Sequence, residues 1–188
     1  MKGPYALAPL SHTSTPQFRL LELHPSTHPS YVLCSLCSYS FDETFPAYKA
    51  LSYAWGIMND TRQIFLNRYA FSVSHNLWAF LEQMHLQRQY GFYWIDAICI
   101  DQSNTLEKNH QVQMMRHIYS THERVVIWPG EASEDKTSDM AMDIVVSIER
   151  WAAYGISGDY MYRSHFDRNK IQGHAVGQLL CRDYWTRI

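Results

Sequence analysis

The sequence predicts an α/β domain in three layers, with a central, mostly parallel sheet flanked by helices and a β-hairpin-like extension at the N-terminal end. Three observations lead there. From residue 48 the segments read strand, hairpin, helix, strand, helix, strand, helix. Two of the strands, 92–100 and 124–128, are nearly unbroken apolar runs lying between helices, as strands covered on both faces are. The 188 residues, 46% of them hydrophobic, suffice for one such core.

Residues 1–17 contain Pro, Ser and Thr and read as a flexible arm, leaving 18–188 as the domain. "FRLLELH" (18–24) alternates as a strand does, and "SYVLCSLCSYSF" supplies a second strand to pair with it. "YKALSYAWG" (48–56) is a short strand ended by Gly56. "RQIFLNRYAFSVS" (62–74) holds a hairpin turning near Asn67 and Arg68. From Asn76 the period changes. Leu77, Phe80, Leu81 and Met84 share one helical face, and Ser74 stands where an N-cap belongs. Gly91 resets the chain before "FYWIDAICIDQ" (92–102), read as a strand with Asp96 inside it and Asp101 just past its end. In the helix that follows, Asn104 and Glu107 have the spacing of a capping box. Its expected buried stripe is Val112, Met115, Ile118, Tyr119 and His122. "ERVVIWPG" (123–130) is a second apolar strand, closed by Pro129 and Gly130. A further helix over 139–154 buries Ile144, Val145, Ile148, Trp151 and Ala152, and a last amphipathic stretch carries Val176, Leu179, Leu180 and Tyr184.

Sixteen Lys and Arg face eighteen Asp and Glu, for a net charge of −2, and no basic stripe is present. A nucleic-acid partner therefore has no electrostatic support. Of the cysteines, Cys34 and Cys37 form a CxxC pair, but no second pair completes a zinc site, and no HExxH occurs among the ten histidines. No metal is expected. The first residues lack the apolar core of a signal peptide, and no run approaches the ~18 apolar residues of a membrane span. A reducing, cytoplasmic location is the default expectation. The ending "CRDYWTRI" reads as a cut through a larger protein.

In sheets of the expected kind, ligands gather at the carboxyl ends of the strands. Three segments bring side chains there: Ser52, Tyr53 and Trp55; Asp101 and Gln102; and the turn after Trp128. Asp96 is costly to bury alone. Either a structural partner holds it (an Arg, a Trp N–H or a backbone loop) or a site uses its charge. Asp101 and Gln102 read equally as caps of the next helix or as ligand groups. In a continuous strand Asp96 and Asp101 would face opposite ways, so a shared Mg²⁺ site requires the strand to end before Asp101. Glu107 and Gln111 lie one helical turn apart and can share a face toward that edge, although Glu107 also reads as a simple cap partner. Cys99 reads as a small core residue. Trp55 and Gly56 read either as a flat wall and a close backbone approach at the strand end, or as a core Trp before a turn. No GxGxxG, GxxxxGK[ST] or GxSxG is present, which argues against Rossmann, P-loop and serine-hydrolase chemistry.

Taken together, "YKALSYAWG", "NLWAFLEQM" and "FYWIDAICIDQSNTLEKNHQVQMMRHIYSTHERVVIWPG" resemble the successive blocks of the fungal heterokaryon incompatibility (HET) domain. The flanks "FRLLELHP" and "CRDYWTRI" resemble that family too. The resemblance implies a fold similar to TIR domains, a flavodoxin-like three-layer arrangement. It implies a programmed-cell-death and innate-immunity role in fungi, exerted through self-association or protein partners. Ser52, Tyr53, Trp55 and Gly56 match the family's first block; Asp96, Cys99, Asp101, Gln102, Glu107 and Gln111 match its second. Trp185 and Arg187 open the third, which should continue to a Gln-Glu pair, and Arg187 is a candidate partner for Asp96. Some TIR domains cleave NAD with a Glu, so NAD is the implied substrate of an enzymatic alternative. The matching Glu would lie beyond Ile188.

Overall fold

The computed structural model describes residues 3–11, 15–28, 31–55 and 59–131. The chain divides into two units, Met1–Trp128 and Pro129–Ile188, and the architecture below is that of the first. The expected helix over 139–154, the final amphipathic stretch, Cys181, Gly56, Trp185 and Arg187 all lie outside the described residues.

After a 3-10 turn at Pro4–Leu7 come β1 (Gln17–His24), β2 (Leu33–Ser40), β3 (Tyr48–Tyr53), β4 (Thr61–Leu66) and β5 (Tyr69–Ser74). They are followed by α1 (His75–Leu86), β6 (Gly91–Trp94), α2 (Asp96–Cys99), α3 (Thr105–Ser120) and β7 (Arg124–Trp128). The seven strands form one sheet in the order β5-β4-β2-β1-β6-β3-β7. Only β2/β4, β3/β6 and β3/β7 are parallel, and the longest ladder, the eight-residue β1/β2 pairing, is antiparallel.

The fold is thus mixed α/β, and the expectation of a mostly parallel sheet is corrected. The N-terminal hairpin is not an extension; it is the middle of the sheet. β1 pairs with β2 on one side and antiparallel with β6 on the other, with Leu21 opposite Tyr93. Phe18, Leu20 and Leu21 are wholly buried. Arg19 and Glu22 interrupt this run and disguise it as a half-exposed strand, whereas Arg19 is itself 2% exposed. The converse error concerns β7. Its unbroken apolar run suggested a covered strand, but among the described residues it forms the sheet edge, with Val125 42% and Ile127 52% exposed. Apolar content marks a strand without fixing its place in the sheet.

Helices do lie on both faces of the parallel half. Tyr93 and Trp94 are adjacent in β6 and so point to opposite faces. Phe80 of α1 packs edge-on against Tyr93, while Tyr119 of α3 packs edge-on against Trp94. α1 follows its sequence pattern, with Leu77, Phe80 and Leu81 buried and Met84 partly so. The Ser74 hydroxyl accepts the Leu77 N–H, as a cap should. Asn67 and Arg68 both take positive φ (52° and 70°), the conformation of the tightest hairpin turns.

α3 departs from its expected stripe. Its buried residues are Glu107, Gln111 and Ile118, whereas Val112 is 51% exposed. The N-terminal half of the helix turns a polar face inward because, as described below, that face finds polar partners. The stretch "FYWIDAICIDQ" also departs. Its strand stops at Trp94, and Asp96–Cys99 form one helical turn. The Asp96 carboxylate accepts the Ala97 N–H at 2.8 Å, and Cys99 N–H donates to the Ile95 carbonyl at 2.7 Å. Asp side chains compete in this way for backbone donors and break strands.

Part of the segment read as a loose arm is packed. Ala8 is 2% exposed, and the Tyr5 hydroxyl is shared between the carbonyls of Ile98 and Ile100 at 3.1 and 3.3 Å.

Candidate functional site at the strand carboxyl ends

β3, β6 and β7 run parallel, so their carboxyl ends reach the same edge. Polar side chains tie those ends together. Trp55, two residues past β3, donates its indole N–H to Asp96, two residues past β6, at 3.0 Å. With Ala97 N–H on the other oxygen, both carboxylate oxygens of Asp96 receive donors. Gln102 donates its side-chain N–H to the Asp96 backbone carbonyl at 3.0 Å. Asn76, in the first turn of α1, donates to the Ala54 carbonyl at 2.6 Å and accepts the Trp128 indole N–H at 2.9 Å. Of the partners envisaged for Asp96, the Trp N–H is the one seen. Asn76 was not foreseen, although a polar amide just inside a capped helix start was the available signal.

Behind this edge lies a buried ion pair that sequence reasoning missed entirely. Arg19 of β1 makes two bonds to Glu107 of α3, at 2.5 and 3.0 Å. The same guanidinium donates to the carbonyls of Ala8 (2.6 Å) and Cys99 (3.1 Å). Glu107 also accepts the Asp101 N–H at 2.7 Å. Fork-to-carboxylate pairing of this kind satisfies both charges where water is absent. Gln111, one turn on, donates to the Gln17 carbonyl at 2.7 Å. Glu107 is therefore not a reciprocal cap partner. Asn104 caps α3 by accepting the Glu107 N–H at 3.2 Å, while the Glu107 side chain turns into the protein.

Asp101 begins the loop after α2. One of its carboxylate oxygens accepts the Ser103 N–H (3.0 Å) and hydroxyl (2.6 Å). Among the described residues, no group of three or more His, Cys, Asp or Glu is gathered as a metal site. Ser52 is half-buried within β3.

Cys99 is wholly buried, and loss of solvation pushes its thiol up to about 12. Burial likewise raises Cys34, and it raises the half-buried Cys37. Raised thiols stay protonated and unreactive at neutral pH. Alkylation of the native protein at pH 8, read by mass spectrometry, is expected to modify Cys37 first among these three. Cys34 and Cys99 should react only in denaturant; early modification of Cys99 would show that the core around it opens.

A cavity of about 350 Å³ opens beside the tied strand ends. Tyr53, Trp55, Asp101 and Gln102 of the expected set line it, together with Tyr5, Phe71 and Leu77, none of which was expected at the site. Tyr5 meets Phe71 edge-to-face at 6.2 Å, and the Arg19 guanidinium stands over the Tyr5 ring at 5.0 Å. Burial first, then the Asp101 charge, hold the Tyr5 hydroxyl far above its usual range. Ser52, Asp96, Cys99, Glu107 and Gln111 do not line the cavity; Asp96 holds the lining Trp55, Glu107 holds the lining Asp101, and the Cys99 carbonyl holds the Arg19 that stands over Tyr5.

Comparison with known proteins places the chain in a family. The family model for the heterokaryon incompatibility protein (HET) matches residues 48–188. The chain is also 35% identical over 159 residues to heterokaryon incompatibility protein 6, OR allele, of Neurospora crassa. That alignment covers 77% of this chain and 23% of the relative, so the chain spans less than a quarter of that protein's length. No solved structure matches the chain.

Proposed function

The chain belongs to the heterokaryon incompatibility family, and on that premise we propose that it is a fungal self/non-self recognition module that signals cell death by self-association or by binding a protein partner. The observation that carries the reading is the 35% identity to an incompatibility protein over 77% of the chain. An exposed apolar strip on β7, the edge strand among the described residues, at Val125 and Ile127, supports it, because an edge of that kind can pair with another chain. Kinship to TIR domains and a cytoplasmic setting belong to the same proposal. What supports the kinship is the parallel β6-β3-β7 half with helices on both faces.

Cleavage of NAD is the second reading, favoured by a cavity at the strand ends that holds an aromatic wall and a carboxylate. Glycosidic cleavage asks for both, the acid to stabilise the developing ribosyl cation. One experiment addresses the two. The full-length protein, fused to an inducible dimeriser, is expressed in a filamentous fungus, and growth, dye uptake and free nicotinamide are followed. Growth arrest and dye uptake upon clustering are expected. Continued growth would overturn the signalling reading, and arrest without nicotinamide release would remove the enzymatic one.

A further inference from the structure

The cavity at the strand ends is built for a particular kind of small molecule. Its volume of about 350 Å³ lies within the range of ligand pockets. Its walls are mainly aromatic and aliphatic, from Tyr5, Tyr53, Trp55, Phe71 and Leu77. Among the described residues that line it, Asp101 is the single charged one, and none is a Lys or Arg. The Arg19 guanidinium, which stands over the Tyr5 ring, is neutralised by Glu107 and gives two further N–H groups to backbone carbonyls. Among these described residues an anion such as a phosphate would meet a carboxylate and no compensating cation.

A cation meets the opposite situation. The Asp101 carboxylate is oriented by the two Ser103 bonds to its Oδ1 atom, so its plane is set before any ligand arrives. The Trp55 indole N–H donates to the Asp96 carboxylate, which fixes the ring and enriches its π face. Electron-rich indole faces attract cations, most strongly where water is excluded. Flat aromatic bodies stack on such walls.

We propose that this cavity is a binding site for a flat aromatic cation, a positively charged heteroaromatic ring held by Trp55 and its aromatic neighbours and by the Asp101 carboxylate. The site is independent of both functional readings: a monomer can bind the ring whether or not clustering kills a cell and whether or not NAD is cleaved. Its occupant would stabilise the contact between the N-terminal turn carrying Tyr5 and the loop carrying Asp101, because it would touch both.

The test is calorimetric titration of the full chain with 1-methylquinolinium, with neutral quinoline at pH 8 and inorganic pyrophosphate as comparisons. Saturable binding of the cation is expected, at least tenfold tighter than quinoline, with none of pyrophosphate. Asp101→Asn keeps an acceptor for Ser103, so the loop should survive. It should weaken the cation about tenfold and leave quinoline unchanged, as loss of one charged contact does. Trp55→Leu should weaken both ring ligands, with circular dichroism confirming that each variant folds. Equal binding of cation and neutral ring, indifference to Asp101→Asn, binding of pyrophosphate, or no binding of either ring at millimolar concentration would each overturn the proposal.

Discussion

A chain that begins at Tyr48, where the family match begins, is expected not to fold. Removing residues 1–47 takes away β1 and β2, which stand between β4 and β6 in the sheet. The β6 register positions opposite Leu21, Glu22 and Leu23 become an open edge, and β4 keeps only its pairing with β5. Phe18, Leu20, Leu21 and Leu23 are 1% exposed or less. Burying each contributes about 2 kcal/mol, so the four together rival the ~5–15 kcal/mol that holds an ordinary domain. Urea unfolding followed by near-ultraviolet circular dichroism should show no cooperative transition in the shortened chain. A sigmoidal transition with native-like signal would mean that the family's matched segment is self-sufficient and that the hairpin is an accessory after all.

Breaking the Arg19–Glu107 pair from either side should cost about 3–5 kcal/mol, because the surviving partner keeps its charge in a place without water. Arg19→Met and Glu107→Leu, measured singly by urea unfolding, should each lower stability by roughly that amount. The double variant should be more stable than the sum of the singles predicts. Recovery stays incomplete, since the Ala8 and Cys99 carbonyls and the Asp101 N–H lose their partners as well. Losses that are each below about 1 kcal/mol and simply additive would show that water reaches the pair in solution.

These two expectations rest on residues whose meaning the sequence concealed. What was legible was local. The Asn67–Arg68 turn, the Ser74 cap and the Leu77, Phe80, Leu81 stripe each depend on neighbours within a few positions, and each is found. Tyr53, Trp55, Asp101 and Gln102 do line one cavity, but by a route the sequence did not show: Tyr53 and Trp55 stand at the end of β3, whereas Asp101 and Gln102 follow the helical turn α2. Arg19 was not legible, since its partner lies 88 positions away and an Arg within a strand ordinarily points to water. The same concealment misplaced the α3 stripe: Glu107 and Gln111 look like solvent residues until Arg19 and the Gln17 carbonyl are set opposite them. Asp96 misled in another way. Apolar neighbours on both sides suggested an uninterrupted strand, but a carboxylate that captures the next N–H starts a turn.

The place of β1 has a consequence for how the chain is made. β1 and β2 can close as a hairpin as soon as Ser40 has left the ribosome, with pairing confined to one edge. The other edge waits for Gly91, Phe92 and Tyr93. At a usual ~5–20 residues per second, that wait lasts several seconds. Throughout it, a strand whose Phe18, Leu20 and Leu21 end up wholly buried is out, half-paired and without its seal. Each nascent chain passes through this interval, and it is there that chaperones would hold the protein and that crowded copies would find one another too early.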